Sequence, residues 1–396
     1  MNQQTHFWHF SRIWCCFLLG LLLIVAYPPA PAASLTDIPR PVSDAAVQLL
    51  QHGNDSKAGF DEQAVAALVD YVLTSKNGRE YSLPESNRCY GAYYEFDTKI
   101  AFPRFMGYSY SALVPAIIAR PSSLRYSIWS NPRSDMQKMP SSWSAIPPEG
   151  APVVIRGLQH DSNTPDLTTG VYYEYDLKRT LILFNHKGRQ VLISISKQID
   201  ESSVGEKGVI LGNDSDWTYF YSNEPGTMKA GLGWVKSYIY DYFSVAVYVE
   251  SDSSPAIVRT GVFQWLRAGW LGINFVKPGD ILGGMKRFAR SFRTVLESPR
   301  LPAPSQLTSV YQSLSRMPAL GLASEYAALQ QALRSSAIQA GKIRKSEAEK
   351  KQSFVDTPKE QMVEELMLEY LKMTLGKSTP LGKQSPLFSP ATTPLP

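Results

Sequence analysis

The chain has 396 residues, 44% of them hydrophobic, with 40 Lys and Arg against 35 Asp and Glu for a net charge of +5. That length exceeds one typical core and suits two modest domains or one domain with appendages, and the hydrophobic fraction supports a packed interior. The charge is too mild for a nucleic-acid footprint, while 21 Tyr and 8 Trp favour sheet and half-buried surfaces where a ring packs and its polar edge stays wet.

Residues 1–32 read as a processing segment rather than fold. Arg12 ends a short lead, Ile13 to Ala26 is a nearly unbroken apolar run too short to span a membrane, and Ala30-Pro31-Ala32 supplies the small residues of a cleavage site. Cleavage before Ala33 and export are expected, with the protein periplasmic or associated with the cell envelope. Cys15 and Cys16 lie at the start of the run, where a lipobox cysteine would not be. Cys89 is then the remaining cysteine, so a buried thiol is expected and an intramolecular disulfide is not. His52, His160 and His186 are far apart in sequence, which argues against a histidine-rich metal site. No cofactor is expected.

Residues 33–88 read as helical, with Ser43 capping one helix that stops at Gly53 and a second running from Asp61 to Ser75 before Asn77-Gly78. Residues 89–253 change to short Tyr-, Val- and Ile-rich runs broken by Pro, Gly, Ser and Asn. Thr180–Phe184 and Gln190–Ser196 flank Asn185-His186-Lys187-Gly188, the clearest hairpin. Val153–Ile155, Val209–Leu211, Trp217–Tyr221 and Trp234–Val249 add strands, and Pro132–Pro152 is a long Pro/Ser-rich loop. No crossover helix separates the later strands, so the sheet is expected to be antiparallel.

Residues 254–343 read as helical again, beginning with Ala256–Val276, where Trp265 and Trp270 stand about a turn and a half apart. Pro278-Gly279-Asp280 opens an amphipathic helix with Ile281, Met285, Phe288, Phe292 and Leu296 on one face. Lys286, Arg290 and Arg293 share the opposite face and Arg287 flanks it. Residues 344–376 contain a charged linker and a helix opened by Thr357-Pro358-Lys359-Glu360 and stopped at Gly376, and the Pro/Ser/Thr-rich residues 377–396 read as a disordered tail. The expected fold is therefore α+β: a central antiparallel Tyr-rich sheet or partial barrel, flanked by N-terminal and C-terminal helices.

One stretch recurs. Gly91–Asp97 reads GAYYEFD and Gly170–Asp176 reads GVYYEYD, each with a lysine two places on, Lys99 and Lys178. On a strand, Tyr93, Glu95 and Asp97 share a face, as do Tyr172, Glu174 and Asp176. If the two strands are equivalent, these six residues wall a polar site with paired carboxylates, suited to a sugar, acid/base work or a hard cation. The ordinary alternative is a solvated face of weak cross-strand pairs. A second candidate is a membrane surface formed by Trp265, Trp270, Lys286, Arg287, Arg290 and Arg293, with docking of that helix onto the sheet as its alternative.

No elbow serine accompanies His160-Asp161, and Pro225–Gly233 lacks the spacing of a phosphate loop. Catalytic residues are accordingly left unassigned. The leading expectation is a non-catalytic binding or interaction protein whose partner is an envelope protein, a glycan or a lipid surface, and neither nucleic acid nor a nucleotide. The alternatives are a carboxylate-dependent hydrolase or carbohydrate-processing enzyme, and a peripheral lipid-handling protein.

Overall fold

A computed structural model describes residues 38–54, 60–75, 77–229, 233–343 and 357–382. The expected export segment, most of the charged linker and most of the C-terminal tail lie outside these residues. The fold is α+β. Its centre is an open, antiparallel, nine-stranded sheet, not closed into a barrel, with seven helices among the described residues.

The chain enters through α1 (Arg40–Asn54) and α2 (Glu62–Leu73), whose apolar stripes pack together and onto the sheet. Ser43 does not cap the first helix, which begins three residues earlier; its hydroxyl donates to the Arg40 carbonyl. The hairpin β1 (Glu80–Ser86) and β2 (Cys89–Thr98) follows, so the sheet starts before residue 89. α3 (Phe102–Ser109) and a short helical turn at Ala116–Ile118 lead into β3 (Leu124–Ser130). After the long irregular loop come β4 (Val153–Asn163), β5 (Val171–Tyr172), β6 (Glu174–His186) and β7 (Arg189–Gln198). The β6–β7 hairpin is the one read from Asn185–Gly188: Lys187 and Gly188 are both left-handed, at φ 53° and 82°.

Next are β8 (Glu206–Ile210), β9 (Tyr219–Pro225), β10 (Thr227–Lys229), β11 (Gly233–Val235), β12 (Tyr238–Ser251), β13 (Ile257–Trp270) and β14 (Ile273–Asn274). The C-terminal part is α4 (Pro278–Leu296), α5 (Pro304–Arg316), α6 (Ala319–Gln339) and α7 (Lys359–Thr374). In the main sheet the order is β1-β2-β13-β12-β7-β6-β4-β3, with β14 extending β13, while β5, β8 and β9 form a separate small sheet.

The expected helix over Ala256–Val276 is instead β13, paired along almost its whole length between β12 and β2. Its apolar residues are buried on both faces, which erases the period-2 alternation that identifies a strand. Trp265 packs against Phe243 with ring centroids 5.2 Å apart and donates its indole N–H to the Pro84 carbonyl.

Both faces of the sheet are covered. One carries Tyr93, Ile182, Phe184, Ile193, Val245, Val247, Phe263 and Trp265 against α1 and α2. The other carries Phe96, Leu181, Leu183, Leu192, Ala246, Tyr248 and Val258 in a core shared with α3 to α7 and the small sheet. Cys89 is buried, and burial pushes its thiol up to about 12, where it is inert.

Gly91, the first residue of the repeated stretch, is required by this packing: a Cβ there would lie 2.5 Å from the Trp265 indole nitrogen and 2.8 Å from Leu83. Gly91→Val is expected to lower stability by about 2–3 kcal/mol through overpacking, read as a lower urea midpoint with the m-value unchanged. A wild-type midpoint would show that the indole can move aside.

Candidate functional site

The two copies of the repeated stretch do not form one site. The first lies within the continuous strand β2, whereas the second is split: Gly170 turns at φ 68°, Val171 and Tyr172 join the small sheet, and Glu174 opens β6. β2 and β6 are separated by β13, β12 and β7, a distance of about 19 Å at ordinary strand spacing. Followed across the sheet, the row of Glu95 passes Gly261, Val247 and Ile193 to Ile182, eight residues along β6 from Glu174.

Each copy has its own local role. Glu95 is fully buried and accepts from the Ser75 hydroxyl, the Arg79 backbone N–H at 3.1 Å, Arg79 Nε at 3.0 Å and the Tyr93 hydroxyl at 2.8 Å. Asp97 takes a two-pronged bond from Arg259, Nε at 2.9 Å and Nη2 at 3.0 Å. Arg259 Nη1 also donates to the carbonyls of Leu73 and Ser75, at 2.8 and 2.7 Å, and so caps the end of α2. The expected charged face is thus neither wet nor open: it is a clasp that holds α2 to the sheet.

In the second copy the Tyr172 hydroxyl bonds Glu206 and Asn223 inside the small-sheet core. Glu174 accepts from Tyr126 at 3.0 Å, and Asp176 accepts from His160 Nδ1 at 2.8 Å at the surface. This His–Asp pair has Tyr126 3.4 Å from the other ring nitrogen, and among the described residues no serine or cysteine bonds the ring.

The membrane-surface set is also dispersed. Trp265 is in the core and Arg287 is buried, its guanidinium gripping Asp214 at 2.6–3.0 Å. Lys286 pairs with Glu80. Arg290 is exposed, Arg293 is partly exposed, and Trp270 lies at the end of β13. The apolar face of α4 meets the sheet through Met285 and Phe292, with Phe288 packed partly buried beside them. Docking against the sheet is what this helix does.

A different constellation stands out on the sheet face that carries Phe96. Beside the apolar block, one row runs Arg179, Ser196, Ser244 and Gln264 on β6, β7, β12 and β13. Arg179 is 7% exposed; it donates Nη1 to Ser196 at 2.7 Å and Nη2 to Ser194 at 2.9 Å, and its Nε is buried without a partner. Over this row comes Arg120, held in the turn after Ala116–Ile118 by a bond from its N–H to the Ile117 carbonyl. Its guanidinium lies 5.5 Å from the Tyr110 ring, its Nε is buried and unpartnered, and no carboxylate of the described residues is within ion-pair distance.

Tyr175 and Tyr242 each lie within electrostatic range of Arg120, Arg179 and Asp161, and Arg120 lies within range of Asp161. Asp161 accepts from Gln159 at 2.6 Å. Burial pushes the phenols of Tyr175, Tyr242 and Tyr248 up from their ordinary value, so they stay neutral, and the Tyr242 hydroxyl donates to Ser244 at 3.1 Å. Arg120, Tyr175 and Tyr242 nevertheless retain accessible surface. Strong desolvation together with residual access is what a recess produces and a flat surface does not. Two guanidinia and one carboxylate surround Tyr175 and Tyr242, and among the described residues no histidine or cysteine bonds either guanidinium, so the arrangement can hold an anion and offers no nucleophile–base pair.

Next to this recess, α7 brings buried carboxyls to β3. Glu365 pairs with Arg125 at 2.7 Å and is also bonded by Tyr326, Gln330 and Gln361, which completes its shell. Glu364 has the Ser127 backbone N–H at 3.1 Å. Burial raises its pKa well above the ordinary 4.5, with Asp161 and Glu360 adding to the rise. Among the described residues no group of three His, Cys, Asp or Glu is placed to hold a metal ion. The surface depression lined by Ser309, Gln312, Ser313, Arg316 and Met317 contains no buried side chain.

Sequence reasoning missed Arg120 and Arg179 because neither sits in a motif. The available signal was an arginine inside an apolar strand, Lys178-Arg179-Thr180-Leu181, where a charge needs a reason.

Two outcomes follow from these environments. Glu95→Gln is expected to cost about 2 kcal/mol, less than a fully buried pair because Arg79 keeps 26% of its surface; chemical denaturation measures it, and no loss would show the clasp to be dispensable. For Glu364 the folded-state pKa lies above the unfolded one, so its contribution is full below pH 4.5 and falls as pH rises through the folded value. Glu364→Gln should therefore raise stability at pH 7 by on the order of 1 kcal/mol and flatten its fall with pH, as followed by urea midpoints across pH.

Comparison of the chain with protein-family models, with curated proteins and with solved structures finds no match in any of the three.

Proposed function

We propose that this is an exported, non-catalytic binding protein whose ligand is a small organic anion, carboxylated or phosphorylated, seated in the recess between Arg120 and Arg179. The observation that carries this reading is that Arg120 and Arg179 both stand near Tyr175 and Tyr242, each with a buried, unpartnered Nε and no carboxylate of the described residues within ion-pair distance. The Nε atoms of Arg189 and Arg267 are unpartnered as well, but Arg189 pairs with Asp252 and Arg267 lies over Tyr240. Leaving a charged donor unsatisfied costs more than any neutral group, and a fold usually answers a buried arginine with a carboxylate. This fold does so for Arg79, Arg125, Arg259 and Arg287, so its omission at Arg120 and Arg179 marks a place for an outside anion. The protonated phenol of Tyr175 supplies a neutral donor, and Tyr242, whose hydroxyl donates to Ser244 at 3.1 Å, supplies a flat wall and an acceptor oxygen, which suit a ligand with hydroxyl groups or a ring. Export is supported by the apolar N-terminal run and the small residues that follow it.

Thermal melts with inorganic phosphate, glucuronate, glucose 6-phosphate and glucose test the reading. At least one anion is expected to raise the melting temperature and neutral glucose is not; at a hundredfold excess over Kd the gain corresponds to about 2.7 kcal/mol. Arg120→Gln and Arg179→Gln should each abolish that response. Arg120→Gln should also leave the ligand-free protein as stable as wild type or more so, because it removes a poorly compensated charge. An anion response that survives both substitutions, or equal stabilisation by glucose, would overturn the assignment. Conversion of a stabilising ligand, seen by mass spectrometry, would overturn the non-catalytic part alone.

A further inference from the structure

The ribbon at the end of β13 carries Leu271 and Ile273, large apolar side chains left mostly in water, beside Phe275, which stacks on Trp270 and keeps its other side exposed. β13 continues four residues past Leu266, its last partner position with β2, and turns at Leu271-Gly272 into β14. It therefore projects about 13 Å beyond the start of β2. Both turn residues are left-handed, Leu271 at φ 53° and Gly272 at φ 74°, the two-residue hairpin turn that ordinarily takes Asn or Gly in its first position. A leucine there is held in a conformation unfavourable to it, and at 86% exposure it packs against nothing. Folding gains nothing from this choice of residue.

Ile273 is 54% exposed and Phe275 43% exposed, and with Leu271 they alternate along the ribbon. The ribbon itself is firmly built. Trp270 and Phe275 stack with centroids 3.7 Å apart, the Gly272 N–H donates to the Tyr240 hydroxyl at 2.8 Å, and the Asn274 side chain accepts from the N–H groups of Ala268 and Val276. Around its base stand the partly exposed aromatics Tyr238, Tyr240 and Trp270.

Charge surrounds the tip in a consistent pattern. Lys236 and Lys277 are exposed, and Arg267 lies 5.1 Å from the Tyr240 ring. Lys236 lies two residues before Tyr238, which pairs with Gly269 at the base of the ribbon. Asp280, at the start of α4, is engaged by the Lys277 backbone N–H at 2.9 Å. The exposed acids Asp200 and Glu201 belong to the β7–β8 connection, on the other side of β12.

We infer that this tip docks into the interface of an anionic lipid bilayer. Leu271, Ile273 and Phe275 enter the boundary between headgroups and acyl chains, Trp270, Tyr238 and Tyr240 stand at headgroup level, and Lys236 and Lys277 meet lipid phosphates. Rigidity favours the process, since no loop has to be ordered on docking. The surface is separate from the anion recess and from the solvent side of α4.

A fluorophore sensitive to polarity, attached at Leu271→Cys in the exported chain beginning at Ala33, which lacks the apolar run of residues 13–26 and with it Cys15 and Cys16, reports the tip itself; Cys89 is buried and does not compete. Vesicles of phosphatidylcholine with phosphatidylglycerol should shift its emission to the blue, and salt or pure phosphatidylcholine should diminish the shift. In a chain without the label, Leu271→Asn should lower vesicle partitioning about tenfold, the equivalent of losing one buried leucine. Its melting temperature should hold or rise, since asparagine accepts the left-handed turn. A tip that stays wet on anionic vesicles overturns the lipid assignment and points to a protein partner. Equal shifts on neutral and anionic vesicles overturn the role given to the lysines.

Discussion

Burial of both faces of the central sheet governs the rest of the molecule. An antiparallel sheet commonly keeps one face in water, where charged side chains need no partner. Here α1 and α2 cover one face and the larger helical layer covers the other, so charged groups on the inner strands depend on partners within the protein. Glu95 is satisfied by Ser75, Arg79 and Tyr93, and Asp97 by Arg259. These bonds fix where α2 ends and how it lies, and α2 in turn seals the strands beneath it. The clasp and the helix layer depend on each other.

The opposite layer is joined by a contact between distant parts of the chain. Arg125, at the start of β3, meets Glu365 on α7, each 7% exposed, with Arg125 stacked 3.9 Å from the Tyr221 ring of the small sheet. A buried pair of this kind adds little net stability against an apolar substitute, because desolvating two charges offsets most of their attraction. What it adds is register: Glu365 accepts only where Arg125, Tyr326, Gln330 and Gln361 converge, so α7 has one seating among apolar alternatives. Glu369 and Lys372 repeat the device one turn further along and reach Thr218 at 2.8 Å. A helix buried on nearly all sides, as this one is from Gln361 to Leu368, has no apolar stripe to orient it. The polar contacts do so instead.

Much of the architecture was legible in the sequence. The two N-terminal helices and the helix after Lys277 follow from periodicity, the β6–β7 hairpin from its turn residues and the antiparallel sheet from the absence of crossover helices. α7 follows from its Thr357-Pro358 start, although its N-cap is Pro358 and no side chain caps it. Parity along Gly91–Asp97 also placed Tyr94 and Phe96 correctly opposite Glu95 and Asp97. What parity could not say is that both sides would be buried, nor that Gly91 serves the Trp265 indole while Gly170 serves a turn. β13 was misread for the related reason that a strand buried on both faces has no alternation left to read. Arg120 and Arg179, 59 residues apart in the chain, become neighbours only through the fold of β6 under the turn that precedes β3.

A sequence that specifies one fold tends to agree with itself at every level, and local disagreements are informative because selection tolerates them only where something else is gained. Three residues disagree here. Arg120 and Arg179 place charge in the interior without the carboxylate that four other arginines receive. Leu271 places an apolar side chain in water on a backbone that asparagine or glycine would occupy with less strain. The first two want an anion and the third wants an apolar medium, so no single rearrangement of the fold would relieve all three. Two of them sit in well-satisfied structure: serines bond the Arg179 nitrogens, and Tyr240 and Asn274 brace the ribbon that carries Leu271. A careless site would be loose as well as unsatisfied. These are unsatisfied and firmly held, the combination expected of groups positioned in advance for partners outside the chain.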